Sequence, residues 1–147
     1  MLKLSTKGRY ALRIMVRMGM LRDGGPVRKQ TIAKAEGISP DYVEQILMTL
    51  KTASLVQSHR GVNGGFSLVK DPAKVTIADI LAASEGKMAL APCFTESCER
   101  STSCSARLLW QRASQALDGV FSGTTLADMI RQAEAMEKTK AAPSYEI

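Results

Sequence analysis

The residues around Gly37 constrain this chain more than any others. A short amphipathic run over residues 28–36 turns Ile32 and Ala33 inward and stops at Gly37, which can adopt the positive φ of a tight turn. Ser39 then offers an N-cap hydroxyl, and Pro40 fits the first helical position, where a missing N–H costs nothing. Over residues 40–52, Val43, Ile46, Leu47 and Leu50 follow an i, i+3, i+4, i+7 pattern and leave Asp41, Glu44, Gln45 and Met48 outward. Helix, glycine turn, helix is the helix-turn-helix pattern, whose second helix lies in a DNA major groove with its first residues toward base edges. Gln pairs there with adenine, and Glu accepts from cytosine. The same spacing also suits an ordinary helical hairpin with a polar outer face.

The flanking segments favour the first reading. Thr6 is placed to cap a helix over residues 7–21, with Tyr10, Ile14, Val16, Met18 and Leu21 as buried candidates and Arg9, Arg13 and Arg17 stacked at i, i+4 spacing. Gly24, Gly25 and Pro26 end it. Residues 55–60 read as a strand, Asn63-Gly64 as a two-residue hairpin turn, and residues 66–69 as the return strand with Phe66 and Leu68 on one side. Three helices and a hairpin make a winged helix. Its tip would reach the minor groove or the backbone, and Arg60 suits it because a narrow minor groove attracts guanidinium groups. Gly61, Gly64 and Gly65 imitate a phosphate-cradling loop, but no Gly-Lys-Ser/Thr follows, which excludes a nucleotide site.

Charge agrees with a polyanionic partner. Residues 1–70 hold twelve Lys and Arg against four Asp and Glu, a net of +8, whereas residues 71–147 hold eight against ten, a net of −2. Neutralised phosphates release counterions, so the basic half matches DNA. Lys3, Lys7, Arg9, Arg13 and Arg17 interrupt any signal-peptide core, and no apolar run is long enough to span a bilayer. A cytoplasmic location without membrane contact is therefore expected. A length of 147 residues with 45% hydrophobic content supports one real core with an appended helical arm.

The acidic half holds all three cysteines, spaced Cys93-x4-Cys98-x5-Cys104. Pro92, Ser97, Ser101, Thr102 and Ser103 make this segment too polar for core, so the thiols are expected to be accessible. In a reducing compartment such a cluster points to metal or redox chemistry rather than disulfides. Thiolates suit iron–sulfur clusters and zinc. A structural zinc takes four protein ligands, often as Cys-x2-Cys pairs, which this spacing lacks. Without any metal, the same thiols could form a disulfide or sulfenate switch. A thiol enzyme would want a base nearby, and the single histidine, His59, falls in the predicted wing, where it reads as structural or phosphate-facing. Residues 76–79 and 125–128, Thr-x-x-Asp in both, look like capping boxes opening short helices. Between them a helix over residues 103–120 puts Leu109, Ala113, Ala116, Leu117 and Val120 on one stripe, flanked by Trp110. That stripe needs covering, by its own domain or by a second copy.

The chain resembles the winged-helix transcriptional regulators that sense iron–sulfur assembly status, nitric oxide or cysteine supply. The resemblance lies in Leu4-Ser5-Thr6-Lys7-Gly8-Arg9-Tyr10-Ala11, in the stretch from Ile38 through Leu47, in Arg60-Gly61-Val62-Asn63-Gly64-Gly65-Phe66, and in the cysteines leading into Leu109-Trp110. It implies a mainly α fold with a small β-hairpin wing and a long dimerisation helix, in a homodimeric regulator, usually a repressor, on a pseudo-palindromic double-stranded operator. It implies DNA contacts from Asp41, Glu44, Gln45 and Arg60, with Ser39, Tyr42, Arg28, Lys7 and Arg9 beside them, and an iron–sulfur cluster, 2Fe-2S favoured, on Cys93, Cys98 and Cys104. The expected division is a DNA-binding domain over residues 1–72, a cysteine loop and dimerisation region over 73–138, and a tail over 139–147. The pattern departs at the fourth ligand. The iron–sulfur assembly sensor has a histidine three residues after its last cysteine, where this chain has Arg107, which cannot ligate. The nitric oxide sensor takes an acidic residue from the first helix of the partner, and no Asp or Glu precedes Asp23 here. Glu96 and Glu99 are the nearest carboxylates.

Overall fold

The computed structural model describes residues 4–86 and 89–141. Six helices and one hairpin follow in the order α1 (Thr6–Leu21), α2 (Lys29–Glu36), α3 (Pro40–Thr52), β1 (Val56–His59), β2 (Gly65–Leu68), α4 (Ile77–Glu85), α5 (Ser105–Gly123) and α6 (Leu126–Ala141). The winged-helix expectation holds. Its details change in ways that local chemistry explains.

Helix α1 begins one residue earlier than its sequence suggests, because Ser5 is the cap. The Ser5 hydroxyl accepts from the Gly8 N–H at 3.1 Å, and Thr6 becomes the first helical residue. Ala11, Ile14, Met15 and Met18 are fully buried, whereas Tyr10 and Val16 are only partly so and Leu21 is exposed. The i, i+3, i+4, i+7 rule thus describes α1 better than the wider set expected for it. Helix α2 ends at Gly37 with φ 65°, the left-handed conformation its position requires. Ser39 accepts from the Tyr42 N–H at 3.3 Å and Pro40 opens α3, whose Val43, Ile46, Leu47 and Leu50 are all buried.

The wing pairs Val56 with Leu68 and His59 with Gly65, so its first strand is shorter than expected and its return strand begins one residue earlier. Its turn is not the two-residue Asn63-Gly64 type. The Gly64 N–H donates to Gly61 O at 3.0 Å, which puts Val62 and Asn63 at the centre of the turn within a longer connection. Gly61 and Gly65 take the positive φ angles, 102° and 152°, and spare Asn63 from doing so. Val27 adds a third short rung, donating to Phe66 O and accepting from the Phe66 N–H, both at 2.8 Å. Gly65 permits this approach, since a Cβ there would lie 2.5 Å from Val27 O.

Both Thr-x-x-Asp boxes form. Thr76 and Asp79 bond reciprocally at 2.9 and 3.1 Å at the head of α4, and Thr125 and Asp128 do so at 2.8 and 3.2 Å at the head of α6. The two boxes also lie side by side. Thr76 and Thr125 form an antiparallel bridge in which the Ile77 N–H reaches Thr124 O and the Leu126 N–H reaches Val75 O. Val75, Ile77, Ile80, Leu81, Leu126 and Ile130 then join Ile14, Met15, Ile46 and Leu47 in one cluster, which draws on both sides of residue 72. Helix α6 comes so near α1 that a Cβ on Gly19 would lie 2.1 Å from Ile130 Cδ1. It also runs through residues 139–141, while residues 142–147 of the expected tail lie outside the described residues.

Two outcomes follow. Gly19→Val should lower stability by about 1–3 kcal/mol through overpacking, read by urea unfolding, and its cost should be less than additive with Ile130→Ala, which vacates the same space. The Thr125 N–H and hydroxyl, aided by Arg131, hold the Asp128 carboxyl below its ordinary range. Folding therefore favours the ionised form, and its contribution is full above about pH 4 and is lost as pH falls through the lowered value. The thermal midpoint should drop on that acidification, and Asp128→Asn should flatten the drop.

Candidate nucleic-acid interface and thiol segment

Helix α3 turns its apolar stripe to the core, so its first two turns present polar side chains outward. Asp41 and Gln45 are exposed and Ser39 is exposed beside its cap bond. Tyr42 is half-buried and leans back on α1, its ring edge-on to Tyr10 at 5.9 Å between centroids and 72° between planes. The Arg13 guanidinium lies 5.2 Å over the Tyr10 ring, and Arg13 and Arg17 both bond Glu36, whose side chain is only 10% exposed. Two of the three stacked arginines of α1 are therefore engaged within the fold. Glu44 is engaged as well: its carboxylate pairs with Lys29 Nζ at the first residue of α2. The hydrogen bond that the Lys29 ammonium donates to that carboxylate is the main reason it holds its proton above the ordinary lysine range.

On the wing, Arg60 is exposed at the start of the turn and Val62 is 87% exposed at its tip. The Arg28 guanidinium donates to Val62 O. His59 Nε2 lies 2.7 Å from Ser67 Oγ, on the face that Gln57 shares, while Phe66 and Leu68 pack toward the core. Between the wing and the head of α2, with Glu44 the one α3 residue in its lining, runs an open cleft of about 300 Å³, lined by Arg28, Lys29, Glu44, Ser58, His59 and Val62 among others. Lys7 and Arg9 occupy the first turn of α1, where Arg9 donates to Thr6 Oγ1 at 3.2 Å and Lys7 is half-buried. Ser39, Asp41, Glu44 and Gln45 thus share the start of α3, Arg28 sits between that helix and the wing, and Arg60 stands on the wing itself. Sequence reasoning missed Lys29 and Val62. Their partners lie far along the chain, and no local pattern marks them.

The thiol segment is held at its two ends. Cys93 sits in a 3-10 turn, Pro92–Phe94, Cys98 lies in the following loop, and Cys104 occupies the N-cap position of α5. All three are half-exposed and none forms a disulfide. Arg107, in the first turn of α5, places its guanidinium 5.6 Å over the Phe94 ring and so joins the Cys93 turn to the helix head. Soft thiolate donors fit an iron–sulfur group by their chemistry. Among the described residues, though, no three Cys, His, Asp or Glu side chains are gathered as a metal ion requires. Helix α5 itself has no buried residue; Leu109 and Val120 of the expected stripe are 56% and 61% exposed, and Leu108 and Trp110 are exposed beside them. Just before the segment, Glu85 at the end of α4 accepts from the Ser5 N–H at 3.2 Å and from the Ser5 hydroxyl, and its Oε1 lies 2.0 Å from where a Gly8 Cβ would be.

A helix-turn-helix with a polar outer face, a hairpin wing beside it and a surplus of cations in that half of the chain defines a winged-helix DNA-binding regulator. The profile of the Rrf2 family, described as an iron-dependent transcriptional regulator, matches residues 4–132, and the chain belongs to that family. It is 29% identical to the transcriptional regulator IscR of Enterobacter sp. strain 638, over 99% of this chain and 90% of that protein. Among solved structures it is similar to CymR of B. subtilis, described as its global cysteine regulator, with TM-score 0.80 and 36% identity over 90% of this chain and 98% of that one. It is also similar to IscR of T. potens, with TM-score 0.77 and 30% identity over 98% of this chain and 95% of that one. The Enterobacter relative is named as a transcriptional regulator, and the chain is a regulator of that type and not an enzyme. Among the described residues no helix is long and apolar enough to cross a membrane.

Proposed function

We propose that the protein is a homodimeric cytoplasmic repressor of a pseudo-palindromic operator, and that an iron–sulfur cluster on Cys93, Cys98 and Cys104 modulates its grip. The observation that carries this reading is the continuity of the chain from the three part-exposed thiols into α5, a long helix with no buried residue. Asp41, Glu44 and Gln45 would face base edges, Ser39 and Tyr42 would support that turn, and Arg60 would enter the minor groove. Lys7 and Arg9 would meet phosphates, whereas Arg28, between the two reading elements, is turned to the wing backbone at Val62 O. The apolar face carrying Leu109, Trp110 and Val120 is too large to leave in water and is best covered by the same helix of a second copy. Two-fold symmetry would then match the symmetry of the operator.

A bound cluster would supply an oxidisable centre, 2Fe-2S by the family reading. Cys104 at the head of α5 and Cys93 in the turn that Arg107 stacks upon would both be held, so the first turn of α5 would be fixed to the loop before it. Arg107 cannot donate a lone pair, and the fourth ligand is left to a group outside the three thiols. A second reading is a cluster-free regulator of the same fold, switched by thiol oxidation or a partner protein. It is favoured by the fact that the described residues gather no three ligating side chains at one point.

Protein purified without oxygen should show charge-transfer absorption with about two irons and two sulfides per chain, and each Cys→Ala variant should lose them. Colourless, metal-free protein after reconstitution that still binds its promoter would move the assignment to the second reading. In either case DNA affinity should fall steeply with salt, and an operator should compete far better than random duplex. Leu109→Glu with Val120→Glu should yield monomers in sedimentation equilibrium with helical content retained, and operator affinity should fall at least tenfold.

A further inference from the structure

We infer that Arg28 and Lys29 are positioning residues that set the offset between the wing and the recognition helix, and that neither is a phosphate anchor; this rests on reading α3 and the wing as the DNA-contacting surface. Their location is the first reason. Arg28 is the N-cap residue of α2 and Lys29 its first helical residue, so both cations sit at the positive end of that helix, which by itself disfavours them. An unfavourable charge at such a site needs a partner elsewhere, and each has one. Arg28 donates to Val62 O in the wing turn, and Lys29 pairs with Glu44 on α3.

The backbone before them is fixed too. Val27 exchanges both its hydrogen bonds with Phe66 of β2, and Gly65 lacks the Cβ that would strike Val27 O. Three consecutive residues therefore grip three separate pieces: Val27 holds the strand, Arg28 holds the turn and Lys29 holds the recognition helix. Arg28 and Lys29 both line the cleft between the wing and the head of α2, which Glu44 of α3 also lines. Two consequences follow for DNA. The exposed wing-turn residues Arg60 and Val62 stand at a set distance from Gln45, so major-groove and minor-groove contacts are made in one register. Glu44, a carboxylate on a face that meets a polyanion, has its charge balanced from within the protein, so it can offer a directed acceptor without repelling phosphate.

The test separates positioning from phosphate contact. Lys29→Met and Arg28→Met are titrated, over a range of salt, against an operator duplex selected from a randomised pool by the wild-type protein and against random duplex. The expected result is a loss of operator affinity of about tenfold, with random-duplex affinity within about twofold of wild type and the log K against log salt slope unchanged. The retained random-duplex binding also reports that each variant is folded. Lys29→Arg, which keeps the pair, should keep operator preference, and adding Glu44→Gln to Lys29→Met should cost less than the two changes separately. A parallel loss on both duplexes with the slope reduced by about 0.9 per residue, as a removed phosphate contact gives, would overturn the inference. So would additivity of the Lys29 and Glu44 changes. Wild-type protein that selects no preferred duplex would instead overturn the underlying reading and carry this inference with it.

Discussion

The burial of α1 is the constraint on which the rest of the structure depends. Ala11, Ile14, Met15 and Met18 make a fully enclosed stripe, and α2, α3, α4 and α6 all pack against this one helix. Ile14, Met15 and Met18 each contribute about 1.5–3 kcal/mol relative to exposure, and among the described residues no other helix is shared by so many neighbours. Small residues set the distances: Gly19 admits Ile130 from α6, and Gly8 admits the end of α4. The recognition helix is oriented from its buried side, because Val43, Ile46 and Leu47 fix its roll and so decide that Asp41 and Gln45 face out. DNA reading is in this sense a by-product of apolar packing.

Where side-chain chemistry is local, the sequence is legible. Ser39-Pro40 and Gly37 give the turn of the helix-turn-helix to the residue, because a cap hydroxyl, a missing N–H and a positive φ are each properties of one position. The two Thr-x-x-Asp boxes are readable for the same reason. Competition between near-equal local options explains the small misses. Ser5 and Thr6 can both cap a helix, and Gly61 and Gly65 relieve Asn63 of the backbone geometry that Asn-Gly ordinarily takes. What the sequence hides is non-local: the meeting of the two capping boxes in one bridge, and the pairing of Lys29 with Glu44, depend on how helices far apart in the chain are brought together.

The candidate site divides along the same line. The outward polar face of α3, the arginine at the wing and the half-exposed thiols all follow from periodicity and composition. The engagement of Tyr42 with Tyr10, of Arg13 and Arg17 with Glu36, and of Arg107 with Phe94 does not. A count of cations in the basic half therefore overstates the charge available to a ligand. Arg13 and Arg17 are committed to a carboxylate in the fold, and the surface charge that a polyanion meets is correspondingly lower.

Glu85 and Gly8 occupy what is in effect a single residue's volume. The carboxylate stands where a side chain at position 8 would begin, and it satisfies the N–H and hydroxyl of the residue that caps α1. The two positions are therefore coupled through the end of one side chain. A side chain at 8 displaces the carboxylate, whose flexible stem can swing aside, and so strips the Ser5 N–H and hydroxyl of their acceptor. For anyone redesigning this protein, a change at position 8 is felt at the α1 cap through a residue on α4.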